Sequence, residues 1–264
     1  MANLLSFEFR KVFRSKYLYI LLGVSVLYVL LNGGTAFLLN FFLSEVSEEA
    51  MSELIPSYTS YSFLKGIFAS NFFMIIGVFV AIFTCEDNGH DVSKNIIARG
   101  YSRVERYFAK YIGSLVMTLG IALVTVLAAA LFSLLAFGVN TFDPNGDNVA
   151  VAITGIILGV IVYHAVLYAV SSSIGKTAGA IVFNLLVPTG IALLLTVGDI
   201  LLANLEMFKD MDIAISNYWL DGIIANFTTM DPDSDLYVAD FILLFFYYGI
   251  AHLVGLLIIR KKQY

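Results

Sequence analysis

Residues 111–142 read YIGSLVMTLGIALVTVLAAALFSLLAFGVNTF and contain no Asp, Glu, Lys or Arg. About 20 apolar residues in an α-helix are enough to cross the hydrocarbon core of a bilayer. A helix is the expected conformation in lipid because it satisfies its own backbone hydrogen bonds. The stretch therefore predicts a transmembrane helix that is long enough to project out of the bilayer.

Five other stretches are also free of these four residue types, and each is at least 19 residues long. They cover residues 17–44, 66–85, 148–175, 177–198 and 241–259. Together with the first stretch they predict an all-α integral membrane protein, with six transmembrane helices in a single transmembrane domain covering residues 1–264. The predicted spans are about 17–40, 63–84, 107–138, 149–174, 178–202 and 239–259.

The composition agrees with a membrane protein and argues against two other classes. Apolar residues make up 59% of the chain and charged residues only 13%, against about 25% charged residues in soluble domains. The net charge of −5 argues against a nucleic-acid-binding protein, which is normally basic. The single cysteine, Cys85, excludes an intramolecular disulfide.

The Lys and Arg residues indicate the orientation, because these residues concentrate on the cytoplasmic side of membrane proteins. If the N-terminus is cytoplasmic, 13 of the 15 basic residues lie inside, and only Lys65 and Lys209 lie outside. The distribution predicts that both termini are cytoplasmic. The inner residues are Arg10, Lys11, Arg14, Lys16, Lys94, Arg99, Arg103, Arg106, Lys110, Lys176, Arg260, Lys261 and Lys262.

The first 16 residues are amphipathic when they are arranged as a helix. The pattern predicts an interfacial helix over residues 1–16 that lies on the inner leaflet. The alternative is an ordinary positively charged flank that sets the topology of the first span. The apolar face holds Leu5, Phe9, Val12 and Phe13, and the opposite face holds Asn3, Ser6, Arg10 and Arg14.

Residues 85–110 read CEDNGHDVSKNIIARGYSRVERYFAK and form the only long cytoplasmic loop of this topology. Asp91 is placed to cap a short helix over residues 92–99, and Gly100 is placed to end it in the left-handed conformation. Ser102 and Glu105 match the S-x-x-E capping box that opens the next helix. The loop therefore predicts a short cytoplasmic helix joined directly to the third span. A solvated loop is the alternative.

Two patterns that resemble functional motifs are interpreted as structural. The G-K-T at residues 175–177 lacks the earlier glycine of a phosphate-binding loop, because Val170 stands at that position. His164 and His252 have no Cys, Asp or Glu partner in their own spans, and a metal site needs several ligands. We therefore expect no catalytic site, nucleotide site or metal on this chain.

Three features resemble the ABC-2 family of bacterial ABC-transporter permeases. The opening LLSFEFRKVFRSKYLYI is similar to the family's amphipathic first helix, with the F-E-x-R core at residues 7–10. The six-span layout with both termini inside is similar over the whole chain. The loop SKNIIARGYSRVERYFAKYI is similar to the family's coupling region, although Asp91 and Val92 stand where the family often has Gly-Thr. The matching loop positions are Lys94, Asn95, Gly100, Ser102, Arg103 and Lys110.

This resemblance implies a permease in the plasma membrane of a bacterium, working as a dimer with a second copy or with a sister permease. It implies two copies of a separately encoded ABC ATPase, which would hold the ATP and Mg²⁺, so no cofactor is expected on this chain. The residues implied to couple to the ATPase are Lys94, Asn95, Ile96, Ile97, Arg99, Gly100, Tyr101, Ser102 and Arg103. Those implied for the interfacial helix are Leu5, Glu8, Phe9, Arg10, Val12 and Phe13.

The short loop helix carries both apolar and cationic side chains. Ile96 and Ile97 stand between Lys94 and Arg99. A mixture of this kind is typical of a small interface with an apolar anchor and a polar rim. We therefore expect the ATPase to dock on this helix.

The resemblance implies an amphipathic peptide or a lipid-like substrate, since similar small permeases export phenol-soluble modulins and other peptides. An immunity permease that expels antimicrobial peptides is an alternative within the same family. A membrane scaffold or a channel that uses no ATPase is the alternative from another class. Co-purification with an ATPase separates the two classes.

Overall fold

The computed structural model describes residues 2–45, 59–68, 70–87, 92–138, 149–204, 214–229 and 236–261. These ranges contain α-helices and one 3-10 turn, Ile215–Tyr218, and no β-strand. The helices are α1 Ala2–Arg14, α2 Lys16–Glu45, α3 Ser60–Gly66, α4 Ser70–Glu86, α5 Val92–Ala98, α6 Arg103–Ala136, α7 Val149–Ile174, α8 Thr177–Ala203, α9 Leu220–Thr229 and α10 Leu236–Lys261.

Within the described ranges, five helices are long and apolar enough to cross a membrane, namely α2, α6, α7, α8 and α10. Their outward faces carry large apolar side chains, such as Leu131, Leu194 and Phe245, that are each more than 60% exposed. Lipid favours such a surface and water does not. The prediction of an all-α integral membrane protein is confirmed, and the predicted ends of these five spans agree with the helices to within a few residues.

The second predicted span, over about 63–84, is divided in the structure between two helices, and its course across the membrane stays a prediction. Helix α3 ends at Gly66, the turn residues Ile67 and Phe68 follow, and α4 begins at Ser70. With 17 residues, α4 is the shorter apolar helix of the bundle. The absence of charge in this stretch predicted its burial in the membrane, but it carried no information on where the helix breaks.

The orientation with both termini cytoplasmic stays a prediction, and in that orientation the break lies towards the outer end of the bundle. Contacts there hold the segments on both sides of the break. The Ser60 hydroxyl donates hydrogen bonds to the carbonyl oxygens of Ser133 (3.1 Å) and Gly138 (2.9 Å), which fixes α3 to the end of α6. The Tyr28 hydroxyl in α2 donates to the carbonyl oxygen of Ile67 (3.2 Å), so a backbone acceptor at the break has a partner. Helix α3 is therefore held as a separate helix against the end of α6.

Helix α7 lies at the centre of the bundle and contacts α4, α6, α8, α9 and α10. Its G-x-x-x-G pattern, Gly155 and Gly159, predicts close helix packing and not a specific dimer. A Cβ atom at Gly155 would lie 2.2 Å from the ring of Phe227, and one at Gly159 would lie 2.7 Å from Ile224. The close packing is confirmed, and the helix that approaches is α9 of the same chain.

Helix α9 runs antiparallel to α7 and reaches far into the outer half of the bundle. Ile224 packs on Gly159, which is ten residues from the start of α7, or about 15 Å along its axis at 1.5 Å per residue. The sequence leaves two interpretations of the apolar patch 213–224, a segment that dips into the outer interface or a plain outer loop, and residue 213 lies outside the described ranges. The described part reaches deeper than an interfacial loop, because the glycines of α7 leave room for it.

Candidate functional site

The predicted short cytoplasmic helix is present as α5, Val92–Ala98. Gly100 ends it with a φ of +88°, in the left-handed region that glycine adopts without strain. The Gly100 N–H donates to the carbonyl oxygen of Ile97 (2.9 Å). The helix stop is therefore confirmed, while the proposed cap, Asp91, lies outside the described residues.

The capping box that joins α5 to α6 is also confirmed. The Ser102 hydroxyl accepts a hydrogen bond from the Glu105 N–H (3.1 Å), and Glu105 Oε2 accepts one from the Ser102 N–H (2.9 Å). Only Tyr101 and Ser102 separate Gly100 from the first residue of α6. At 1.5 Å per residue, the 34 residues of α6 extend about 51 Å, so its cytoplasmic end projects beyond a hydrocarbon core of about 30 Å.

The apolar side of α5 faces the protein itself. Ile96 is buried in a small cluster with Leu4 of α1 and Ala109 of α6, and Tyr101 packs on the same cluster. Ile97 is only half buried. The pair was expected to anchor an ATPase, but Ile96 instead fastens α5 to α1 and α6. The exposed face of α5 and its end is formed by Lys94, Asn95, Ala98, Arg99 and Gly100.

The amphipathic first helix is present as α1, but a different stripe of it packs against protein. Leu4, Glu8 and Val12 are buried, and α1 contacts α6. Among the side chains predicted to share the apolar face, Phe13 is 59% exposed. Leu5 and Phe9 are half buried and Arg10 is exposed. The position of α1 on the inner leaflet stays a prediction, and Phe13 remains available to contact lipid.

An ion cluster ties α1 to the ends of α4 and α6. Asp87, directly after α4, receives the Lys110 ammonium from α6 at 2.6 Å and pairs through its other oxygen with Lys11 of α1. Lys11 also lies 3.4 Å from Glu86. Burial by itself raises the pKa of Asp87, but the ammonium groups of Lys110 and Lys11 outweigh it and hold the pKa below its usual range. Asp87 is thus the common anion of two helices.

Glu8 lies beside this cluster as a buried carboxyl group. Neither of its oxygen atoms has a hydrogen-bond partner in the described structure, although Lys110 and Lys11 are near. Burial raises the pKa of this carboxyl above its ordinary value, and the nearby cations oppose that shift only in part. Close packing causes the burial, because a Cβ atom at Gly113 of α6 would lie 3.2 Å from the Glu8 Cβ.

The same end of α6 is bound to α7 and α10. The Arg103 guanidinium donates to the carbonyl oxygen of Arg260 at the end of α10 (3.0 Å). The Tyr168 hydroxyl donates to the carbonyl oxygen of Tyr107 (2.9 Å), and the Tyr107 hydroxyl lies 3.2 Å from His252 Nδ1. A shift of α6 would therefore displace both neighbouring helices.

His164 has two hydroxyl partners and no metal-ligand partner. Its ring nitrogens lie 3.0 Å from the Ser114 hydroxyl and 2.9 Å from the Thr118 hydroxyl, both on α6. This confirms the interpretation of His164 as a histidine bonded to a neighbouring helix. In the described part of the chain, no group of three or more His, Cys, Asp or Glu side chains is placed to hold a metal ion.

The G-K-T segment is the connection between α7 and α8, as its interpretation as a turn requires. Gly175 has a φ of +72°, and its N–H donates to the carbonyl oxygen of Ser171 (3.0 Å). Lys176 then precedes the first residue of α8. A phosphate-binding loop follows a β-strand, and here a 26-residue helix stands in that place.

The sequence prediction used Lys11 as a topology marker and Lys110 both as a marker and as a position similar to the family's coupling region, but it did not bring them together with Asp87. One signal pointed to the cluster: Lys110 falls inside the predicted span 107–138. A charged side chain inside a span is costly and normally has a named partner. We call α1, α5, the end of α4 and the start of α6 the cytoplasmic junction. Ion pairs, a capping box and a small apolar cluster connect these four helices.

Comparison with known families places this junction in a wider context. A family model described as "ABC-2 family transporter protein" matches residues 4–199, about three quarters of the chain. The matched region runs from the third residue of α1 into the last turn of α8 and includes all of the cytoplasmic junction except the first two residues of α1. No curated protein matches the chain.

Proposed function

The chain belongs to the ABC-2 family of transporter proteins, and we propose that this permease subunit moves an amphipathic peptide or another hydrophobic substrate across or out of the membrane. As a multi-pass membrane subunit of an ABC transporter, it works with an ABC ATPase. In the proposal, ATP and Mg²⁺ bind to two separately encoded ATPase subunits. The complete transporter contains a second permease, identical or a sister, in the plasma membrane of a bacterium.

The proposal rests on how α5 is attached to the rest of the chain. Its outward face presents Lys94, Asn95 and Arg99, while Ile96 is buried against α1 and α6. Four residues, 99–102, connect it to α6, and the Ser102 capping box fixes the start of α6. A force applied to the exposed face of α5 reaches α6 and α1 directly, so the movement of an ATPase on this face displaces the membrane helices.

The ion cluster supports the same division of roles. Asp87 holds Lys11 of α1 and Lys110 of α6, so the end of α4 moves with the junction. A movement of α5 would thus reach three elements: α1, the end of α4 and the start of α6. A passive scaffold or channel does not require a cytoplasmic lever of this kind, and the family match favours the transporter over both.

The test is co-purification and transport with the ATPase encoded beside the permease. Because Ile96 is part of the chain's own packing, the test uses exposed residues: Lys94→Glu combined with Arg99→Glu. The matched control is Lys176→Glu combined with Lys261→Glu, which makes the same charge change at exposed positions outside α5. We expect the α5 variant to lose ATPase binding and transport at normal membrane levels, and the control to keep both.

If the α5 variant recovered as much ATPase as the wild-type chain does, α5 would not be the docking element. Failure of the wild-type chain to recover any ATPase, or to move peptide when ATP is supplied, would contradict the proposed function. Immunity and export share one direction of transport and one class of cargo. Deleting the permease and measuring peptide release and peptide sensitivity separately distinguishes these two roles.

A further inference from the structure

Two adjoining cavities open between α4, α7, α8 and α9. Their volumes are about 360 Å³ and 390 Å³, each within the range of small-molecule and side-chain binding pockets. Three residues line both cavities, namely Ala192, Thr196 and Asp221. We call the two cavities together the α8–α9 groove. Asp221 stands where they meet.

Asp221 is a carboxyl group that has no cationic partner among the residues the structure describes. Its Oδ1 atom is buried and accepts no hydrogen bond in the described structure. The Tyr163 hydroxyl and the Trp219 indole lie within hydrogen-bonding reach of this carboxyl group, and both are neutral donors. No Lys, Arg or His side chain lines either cavity among the described residues. Burying a carboxylate without a counter-charge is unfavourable, so the groove favours a ligand that brings one.

A second unused acceptor lines the same groove. Asn184 of α8 is 3% exposed, and its Nδ2 atom donates to the Gly77 carbonyl oxygen (2.9 Å) and to the Ser171 hydroxyl (2.9 Å). The carbonyl partner can only accept, so it fixes which side-chain atom is the nitrogen. The remaining atom, Oδ1, is buried and accepts no hydrogen bond. Asn184 and Asp221 thus offer two acceptors to one cavity.

The rest of the lining is suited to an amphipathic molecule. Apolar side chains flank the acceptors on both sides, with Phe68 and Phe73 in one cavity and Leu193 and Pro188 in the other. A third groove, between α3, α6 and α7, is larger, at about 510 Å³, but its lining contains no carboxylate and no amide. That groove is suited to lipid chains. Of these two grooves, which are formed by described residues, the α8–α9 groove is the one that combines an anion with apolar walls.

We propose that the α8–α9 groove binds a cationic side chain of an amphipathic peptide cargo, with Asp221 as its counter-ion and Asn184 as a second acceptor. The inference rests on the proposed transport function and specifies the class of cargo. An ammonium or guanidinium group donates several hydrogen bonds and can use both acceptors. The apolar face of the same peptide lies against the aromatic and aliphatic walls.

The experiment measures peptide-stimulated ATP hydrolysis by the permease reconstituted with its ATPase in vesicles of neutral lipid. The probes are an amphipathic helical peptide with two lysines and the same peptide with both lysines acetylated. We expect the lysine peptide to reach half-maximal stimulation at a concentration about tenfold lower than the acetylated peptide does. A tenfold difference corresponds to the effect of one charge-assisted hydrogen bond. Asp221→Asn should remove this preference and leave the response to the acetylated peptide unchanged.

Two further variants keep the result interpretable. Asp221→Glu retains the charge and should retain the preference, which excludes a merely structural effect of the asparagine. Asp240→Asn makes the same chemical change at a buried carboxyl that lies beside Asn226 and does not line the groove, so it should change nothing. Equal stimulation by the two peptides, or an undiminished preference in Asp221→Asn, would overturn the inference alone. Absence of stimulation by either peptide would contradict the proposed function as well.

Discussion

The cytoplasmic junction and the outer contact between α7 and α9 hold the same bundle together by different means. At the junction, charges and caps connect the helices: Asp87 pairs with two lysines, and Ser102 and Glu105 bond each other's backbone. At the outer contact, Phe227 and Ile224 fill the space above two glycines. Directional bonds transmit a displacement, whereas side-chain packing sets how closely helices approach. The bonded junction is suited to transmit movement from the ATPase, and the packed contact between α7 and α9 is suited to form the wall of a cavity.

The largest effect is expected from breaking the ion cluster. Asp87→Ala leaves the buried Lys110 without its carboxylate, and breaking a buried ion pair from one side costs about 3–5 kcal/mol. We expect a strongly lowered midpoint of thermal unfolding in lipid nanodiscs. Changing Asp87 and Lys110 together to Leu should recover most of the loss.

A matched control for the ion cluster is Glu86→Ala, because this neighbouring carboxylate has a 36% exposed side chain and should cost at most about 1 kcal/mol. An Asp87→Ala variant as stable as Glu86→Ala would show that the ion cluster does not hold the junction. The inner end would then depend on packing, as the outer contact does.

A smaller effect is expected at the outer contact. Gly155→Ala places a methyl group 2.2 Å from the Phe227 ring, and such overpacking typically costs about 1–3 kcal/mol. Gly190→Ala in α8 is the control, since no atom lies within 4 Å of its Cβ position and alanine favours the helix. Unfolding midpoints measured side by side should fall for the first variant and not for the second. Adding Phe227→Ala to Gly155→Ala should relieve the clash; no relief would mean that α9 does not pack there.

The two capping boxes allow a direct comparison of the two ends. Ser102→Ala removes the inner box and Thr59→Ala removes the outer one, each at a cost of about 1 kcal/mol. The two variants should be equally stable. Only Ser102→Ala should lower the ratio of transported peptide to hydrolysed ATP, because only that cap joins α5 to a span. If both variants transported the same amount of peptide per ATP hydrolysed, the Ser102 cap would have no role in coupling.

The smallest effect is expected at Glu8, where the substitution should raise the stability of the fold and not lower it. Its pKa is raised in the folded chain, so the folded state binds a proton more readily than the unfolded state, and stability rises as pH falls through the folded pKa. Glu8→Gln imitates the protonated group. The variant should unfold at a higher temperature than wild type at pH 7.5, and the difference should shrink on acidification. A difference that does not change with pH would show that Glu8 does not titrate as proposed.

Much of this fold followed from the sequence, because the signals were local. Missing charges marked the spans, and the capping box at Ser102 and the stop at Gly100 were confirmed at the predicted residues. The break after Gly66 was not predictable in this way, because it depends on hydrogen bonds from Ser60 and Tyr28 to distant segments. Local patterns specify helices, whereas tertiary contacts decide where an uncharged stretch is interrupted.

The candidate site was predicted less completely than the fold. The sequence placed α5 correctly but assigned Ile96 to a partner, because helical periodicity cannot tell which neighbour covers an apolar side chain. Asp221 was one acid in a long outer loop, and only the depth of α9 beside α7 gives it a role. Both cases depend on which residues surround a side chain in the fold, and the sequence does not show this.

The most direct measurement of the central claim is site-specific crosslinking from α5 in living cells. A photo-reactive amino acid at Asn95 or Arg99, which lie on the exposed face, is compared with one at Leu135, an outward side chain that is 87% exposed near the outer end of α6. We expect positions 95 and 99 to give an adduct that contains the ABC ATPase, and position 135 to give none. Absence of that adduct at both α5 positions, while the ATPase still co-purifies with the permease, would contradict the assignment of α5 as the coupling helix.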